Sequence, residues 1–559
     1  MSDPADRDIT TNALFEEILE TLQREGANQT PVHYSYWIEF DAGGETFHPY
    51  QLLSIDVRKN YNQTFTDETV ITVKMPEYYY ERLLYPNREN FTVTIFRQRH
   101  GVGKDTDSNA QVADSKEFRA RVEQYSQDPE DLRAENNIEF FRYRGVLMDK
   151  RNKMFESSRA SDTSGEDLSK EEPQTYHILL INPAVEKLLP RIFSSLYREN
   201  LRGEYINEVI RSSGIYRNTT VEDLLRGILT DVSADVSSEV DEEFEIAGVD
   251  IIEPDNQTEY DHLIIPHDIR IIELPRYVHE HCGGIYSHGL GYYLQYCPAH
   301  IADEPEAETT QWSEDRQQGK WFWFIYPEYA TARFDEVEDN LTIINVPENR
   351  FEGIERTYFV QHTSSLYKKV VALSTGDVLH EDQSDTLEFN RGTGSRWVKG
   401  DLFEHFAESI DPSETGWEVE IDSSENIDQF LGYQRKSGEN YIPLRPRRIT
   451  SNPYYMHSHI ASRQGTIVRF HWQNGDPELI YPGMPVRLYH MFDNDLDEYE
   501  GVVIGCDTDA FLKSQDPTET RMQTDVLLTL FVDRPEKRDA EWFQGSLLDL
   551  VGGEVLTDQ

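Results

Sequence analysis

The reading of the fold turns on ASRQGTIVRFHWQNGDPELIYPGMPVRLYHMFDNDLDEYEGVVIGCDTDAFLKSQDPTETRMQTDVLLTLFV, residues 461–532. Within it Thr466, Val468, Phe470 and Trp472 recur at every second position. Val486 and Leu488, then Val502, Ile504 and Cys506, then Val526, Leu528, Leu530 and Val532 repeat the pattern. Period two places each set on one face of a strand, and short strands at this spacing build a barrel or a sandwich.

The same period governs the amino-terminal part. Tyr34, Tyr36, Ile38 and Phe40 alternate with more polar partners, as do Leu53, Ile55 and Val57, then Ile71, Val73 and Met75, then Phe91, Val93 and Ile95. A polar, Gly/Asp-rich stretch over 100–136 reads as an insertion, after which Ile138 to Met148 resumes as a strand. Residues 153–174 offer almost nothing to bury and read as an acidic linker. Helical spacing is expected over 8–25 and in three segments between 183 and 230, with Gly214 as a C-cap and Thr219 or Thr220 as an N-cap. HLIIP and IRIIELPRYVHEHCGGIY stand out in a mixed region; WFWFIY (321–326) and LTIINV (341–346) read as strands, 375–440 is hard to assign, and 536–559 is expected to be a short helix and tail.

Composition narrows the function. The 559 residues carry 103 Asp+Glu against 53 Lys+Arg, a formal charge of −50, while 38% of residues are hydrophobic and 12% aromatic. A chain this negative repels phosphate backbones and anionic lipid, which argues against sequence-specific nucleic-acid binding and membrane-surface roles. Its apolar content excludes disorder as the default. Only 15 of the basic residues are Lys and 38 are Arg, the balance of a halophile's surface; in molar salt the screening length falls to about 3 Å, so the self-repulsion is suppressed. An ordinary acidic cytosolic protein is the alternative. No apolar run approaches the roughly 18 residues that cross a bilayer, and MSDPADRDIT has no signal-peptide core, so a chain without export signal or membrane segment is expected. The six N-x-[ST] triplets, at Asn28, Asn62, Asn90, Asn218, Asn256 and Asn340, then read as chance matches, the alternative being glycans on a virion or surface protein.

Three cysteines, Cys282, Cys297 and Cys506, build no disulfide framework. His279-x-x-Cys282 and Cys297-x-x-His300 do form two short-spaced pairs of soft ligands separated by a loop, the pattern of a closed, structural zinc site. The competing reading makes the cysteines small buried hydrophobes and the histidines a solvated helix end. No G-x-S-x-G, H-E-x-x-H, Walker loop or strand-linked G-x-G-x-x-G occurs, so no catalytic residues and no further cofactor are assigned. DNDLDE (493–498) reads as a solvated turn, HGVGK (100–104) as half a phosphate loop, and Arg445, Arg447 and Arg448 as a basic run that pairs with carboxylates inside the molecule or at a subunit contact.

Three blocks resemble the hub proteins of tailed-virus baseplates and the related amino-terminal module of type VI secretion spikes. Residues 50–97 are similar to the first barrel of those hubs. Residues 266–295 resemble their proline-led strand, helix and Tyr-Gly turn. In 461–532, Tyr481-Pro482-Gly483-Met484-Pro485-Val486 resembles their P-G-x-P-V turn, followed by the strand Tyr499-x-Gly501-x-Val503.

The resemblance implies a mainly β fold with some α: two similar hub-type β-barrels plus mixed α/β connecting domains. The domains expected are an N-terminal helix (1–27), a first barrel with insertion and linker (28–182), a helical segment (183–245), a mixed α/β middle domain (246–350), the first part of a second barrel with a polar insertion (351–460), its closing strands (461–535) and a tail (536–559). It further implies a non-enzymatic, homotrimeric tail hub in a virion; combined with the halophile-like composition, the expectation is a virus of a halophilic archaeon, the protein being made in the host cytoplasm. Such a hub joins a sixfold tail tube and distal tail proteins to a threefold tip or fibre and forms part of the DNA-ejection channel. The alternatives are a host-recognition adhesin, a tail-associated envelope hydrolase and a cellular secretion-spike component. The paired His279, Cys282, Cys297 and His300, the linker and 375–440 have no counterpart in the family.

Overall fold

The computed structural model describes residues 33–100, 115–125, 138–148, 173–193, 214–297, 320–336, 340–346, 357–363, 370–375, 378–381, 454, 461, 465–473, 475–492, 495–514, 516, 518–533 and 536–537. The protein is mostly β with a few helices.

The amino-terminal strands are β1 (His33–Ala42), β2 (Glu45–Phe47), β3 (Gln51–Arg58), β4 (Glu68–Met75), β5 (Phe91–His100), β6 (Glu139–Leu147) and β7 (Gln174–Ile181). The middle of the chain carries β8 (Ile215–Thr219), β9 (Ile246–Ile251), β10 (Tyr260–Ile264), β11 (Gly291–Cys297) and β12 (Lys320–Tyr326). There follow β13 (Asn340–Val346), β14 (Thr357–Thr363), β15 (Val370–Thr375), β16 (Val378–Glu381), β17 (Thr466–Gln473), β18 (Pro485–Phe492), β19 (Asp495–Phe511), β20 (Arg521–Val532) and β21 (Glu536–Lys537). The longer helices are α1 (Ser115–Tyr125), α2 (Pro183–Leu188), α3 (Val221–Ser237) and α4 (Leu274–His281), and a short helical turn, Glu77–Tyr79 continued by the π-turn Tyr80–Leu84, follows β4.

Two barrels share the long strands β19 and β20. In the first, hydrogen bonding runs from β19 through β3, β4, β7, β6, β5 and β1 to β20, and β19 and β20 pair with each other, so the ring closes. Alternate residues fill it: Ile38 and Phe40, Ile71 and Val73, Val93 and Ile95, and Tyr176 and Ile178 form one buried cluster. Only one end of each shared strand takes part, Thr508–Phe511 against β3 and Arg521–Met522 against β1.

The remaining lengths of β19 and β20 belong to the second barrel, in which β15, β14, β13, β18, β19, β20, β17 and β16 are neighbours in that order. Its two edge strands, β15 and β16, are consecutive in sequence, so the chain itself carries the wall from one edge to the other. Val468, Phe470, Trp472, Val486, Leu488, Leu528 and Leu530 fill this core. A register shift between Val503 and Gly505 marks the crossing from one barrel to the other. There Ile504 O accepts the Tyr61 N–H at 3.1 Å, and Lys59 O accepts the Cys506 N–H at 2.9 Å. A bulge bends and twists a strand, which lets one strand follow two barrel walls.

The middle domain packs α3 against a three-stranded sheet ordered β11-β12-β9, in which β12 and β9 are parallel. Thr220 caps α3, its hydroxyl accepting the Asp223 N–H at 3.1 Å, and Val221, Leu225, Ile228, Leu229 and Val232 form the buried stripe.

Several expectations change. Strand β13, expected in the middle domain over 246–350, pairs in parallel with β18 and belongs to the second barrel. The helix expected to run on from Val185 ends at Leu188, because Pro190 has no N–H to continue it. Where the resemblance implies a proline-led strand ahead of the helix, Ile271–Glu273 is a 3-10 turn leading into α4, where Pro275 sits in the first turn. Residues Glu536–Lys537, expected to begin a helix, pair with β19. DNDLDE is only in part a turn, since Asp495–Glu498 pairs with β18 and Glu498 is 1% exposed. The helix over 8–25, most of the 100–136 insertion, the linker to residue 172, the basic run and 382–440 lie outside the described residues.

Candidate functional site

The expected metal ligands divide between two cores. His279 is buried on α4, its Nδ1 accepting the Ile285 N–H at 3.1 Å. Cys282, one turn on, packs into the middle-domain core with Val278, Ile285 and Leu294, and burial pushes its thiol up to about 11. Cys297, at the end of β11, belongs instead to the core of the second barrel beside Tyr293 and Phe322. His300 lies outside the described residues. Among the described residues no group of three His, Cys, Asp or Glu side chains is placed to hold a metal ion.

A site that sequence reasoning missed lies where the first barrel meets the turn between β17 and β18. Arg97 on β5 pairs with Glu139 on β6, and at 2.6 Å with Glu478. Arg99 pairs with Asp476, and its Nε lies 3.7 Å from Glu478. The Tyr34 hydroxyl donates to Asp476 at 2.7 Å, and the Tyr296 hydroxyl of the middle domain donates to Glu139 at 3.0 Å. Asp476 also accepts the Glu478 N–H at 3.2 Å, which fixes the turn. Burial and then the neighbouring carboxylates push the Tyr34 hydroxyl far above its usual range, so it stays a donor. This junction holds three parts of the molecule together and shows no open coordination or nucleophile. Its signal was present: Arg97 and Arg99 continue the same face of β5 as the core residues Phe91, Val93 and Ile95.

A second feature is a cleft of about 850 Å³ between the middle domain and the second barrel. It opens at the carboxyl ends of the parallel strands β9 and β12, where connecting loops part and leave room for a ligand. Asp250, Glu253 and Asp255 line it from the β9 side, Tyr329 and Arg333 from the β12 side, and Phe531 and Asp533 from β20 and the residue after it. Asp255 accepts the Ser287 N–H at 2.7 Å and its hydroxyl at 2.5 Å, and His288 Nδ1 lies 3.0 Å from that hydroxyl. The Ser287 proton is held by the carboxylate, so the trio caps a loop and is not arranged as a nucleophile, base and orienting acid. Beside the cleft Glu328 is buried, and burial pushes its carboxyl up to about 8 against the opposing effects of Tyr329 and Arg276.

No protein-family model matches this chain, and no curated protein matches it. Among solved structures it is similar to the 43 kDa tail protein of prophage MuSo2 from Shewanella oneidensis, with 9% identity and a TM-score of 0.35 over 89% of this chain and 99% of that one. It is also similar to the Francisella PdpA-VgrG complex in its half-lidded form, with 9% identity and a TM-score of 0.29 over 96% of this chain and 66% of that one.

Proposed function

We propose that this chain is a structural tail hub of a virus, a homotrimer that joins a sixfold tail tube to a threefold tip and lines part of the ejection channel. One observation carries the reading: a single chain holds two β-barrels fused through β19 and β20, so three copies would present six barrels around one axis. The turn that resembles the hub family's P-G-x-P-V motif sits at the start of β18, in the wall of the second barrel. The formal charge of −50 suits a channel past which DNA slides without adhering, and it supports the reading of a halophilic host. The chain acts as scaffold and not as an enzyme.

Electron microscopy of the recombinant protein in molar salt tests this. A threefold ring with a central hole is the expected image. Dispersed monomers or elongated rods would overturn the reading and favour an adhesin or an envelope hydrolase.

A further inference from the structure

At one end of the first barrel β1, β4 and β6 finish while β3, β5 and β7 begin. The helical turn Glu77–Leu84 caps this end, running from β4 to β5 past the ends of β7 and β6, which stand between them in the wall. Tyr80 and Leu84 belong to the barrel core, where the Tyr80 ring stacks on Tyr176 of β7 at 4.4 Å. Tyr79 stacks on Phe47 of β2 at 4.9 Å, and Asn87 Nδ2 donates to Leu83 O at 2.8 Å, so the cap is fixed from both sides.

The outer face of the cap is left exposed. Tyr78, Arg82 and Tyr85 follow one another at spacings of four and three, on one side of the turn. Tyr50, just before β3, and Met148, whose N–H donates to His177 O at 3.1 Å, stand on the same rim. Tyr50, Tyr78, Tyr85 and Met148 are four of the six large hydrophobic side chains exposed among the described residues. The Arg88 guanidinium lies 5.0 Å from the Tyr85 ring centre and donates to Tyr85 O at 3.1 Å, while Tyr78 leans edge-on against Tyr79. Tyr, Arg and Met are the side chains enriched where proteins meet, and clustered exposed apolar groups mark such places. Because the cap is already packed, little freedom is lost on contact.

Charge points to the occupant. Over residues 78–90 two guanidiniums, Arg82 and Arg88, are exposed against one exposed carboxylate, Glu89. The whole chain has the opposite balance, 103 Asp+Glu against 53 Lys+Arg. Another copy of this chain therefore offers mostly acidic surface, which complements the cap. Two caps facing each other would set arginine against arginine, so the contact joins unlike surfaces, and head-to-tail contacts of this kind build closed rings.

We propose that this rim, formed by Tyr50, Tyr78, Arg82, Tyr85, Arg88 and Met148, is the surface through which one copy of the chain grips an acidic face of the next. The proposal rests on the homotrimer reading and names the face that makes the contact. Sedimentation equilibrium of the full chain in molar salt tests it. Wild type is compared with Tyr78→Ala/Tyr85→Ala, with Arg82→Glu/Arg88→Glu and, as control, with Arg58→Glu, which is exposed at the other end of β3. Loss of the two tyrosines is expected to weaken association about a hundredfold, and charge reversal at least about tenfold, with the control unchanged. Near-ultraviolet circular dichroism confirms that each variant is folded; should the tyrosine variant lose its fold, the arginine variant carries the test alone. Double variants that form trimers as tightly as the wild type would overturn the proposal and leave the hub reading standing, with the rim facing a different partner. Equal weakening by Arg58→Glu would also overturn it, as an effect of charge at large. A wild type that stays monomeric at every concentration would overturn both readings.

Discussion

Gly483 lies under the ring of Tyr326: a Cβ on the glycine would stand 2.4 Å from the tyrosine Cδ2, and the backbone there has φ +76°. The turn before β18 is thereby pressed against the end of β12, and the second barrel is keyed to the middle domain through a residue that only glycine satisfies on both counts. The Tyr326 hydroxyl reaches on to Tyr61 O at 3.5 Å, in the segment that follows β3.

Gly483→Ala is therefore expected to cost roughly 2–4 kcal/mol, combining a strained φ with overpacking. Adding Tyr326→Ala removes the clash but leaves the φ strain, so the double variant should show coupling between the two positions. Urea unfolding in molar salt measures both. Strict additivity would mean that the ring is not what the glycine accommodates.

The Arg97, Arg99, Glu139, Asp476 and Glu478 junction yields a second expectation. Arg99→Met leaves Asp476, whose side chain is 1% exposed, without its cation, a loss of about 3–5 kcal/mol for a broken buried pair. Adding Asp476→Asn and Glu478→Gln removes the stranded charges and should recover most of that loss. Because buried pairs are screened little, the single variant's deficit should persist from dilute buffer to molar salt. A deficit that disappears in salt would show the pair to be solvent-exposed.

The strands themselves were largely legible, because alternation at Ile71, Val73 and Met75 or at Val526, Leu528 and Leu530 reports the face that a strand buries; their order in the barrels was not. What alternation cannot report is that one strand serves two barrels. Residues 495–511 look like separate strands in sequence, and it is the register shift at Val503–Gly505 that makes them one continuous β19. Nor does spacing report that Cys282, at a helix end, and Cys297, at the far end of a strand, pack into different cores. Arg97 and Arg99 were legible and passed over, since arginines on a core-facing stripe are expected only where carboxylates from another segment meet them. The segment that meets them, Asp476–Glu478, is distant in sequence.

Glu328 sets a pH dependence. Its folded carboxyl is raised to about 8 from an ordinary 4.5, so between those values the folded state holds a proton that the unfolded chain releases. Its favourable contribution is complete below about pH 4.5 and is lost as pH climbs to about 8, by a few kcal/mol at roughly 1.4 kcal/mol per unit. Glu328→Gln keeps a neutral side chain of the same shape and should flatten this part of the stability profile. A thermal-stability series across pH 5–8.5 decides it, and an unchanged slope in the variant would place the titration elsewhere.

The shared strands also explain why salt should matter to the fold. Register places Asp56 of β3 opposite Asp509 of β19, and Asp509 opposite Asp525 of β20, so three carboxylates stand abreast where these strands close the first barrel. Like charges directly opposite one another oppose strand pairing. Partial burial and then the hydrogen bond and charge of Asp56, with Asp525 behind them, push Asp509 up to about 6. Its contribution is therefore present below about pH 4 and lost as pH rises through about 6. His471 Nε2 stands 3.6 Å from Asp525 on the far side of the row. Salt screens like charges, so transfer from molar salt to dilute buffer should strengthen the repulsion along this row and destabilise the protein. Asp509→Asn removes the central charge, so its melting temperature should exceed that of the wild type in dilute buffer and converge with it in molar salt. A constant difference at every salt concentration would show that repulsion along this row is not what salt relieves.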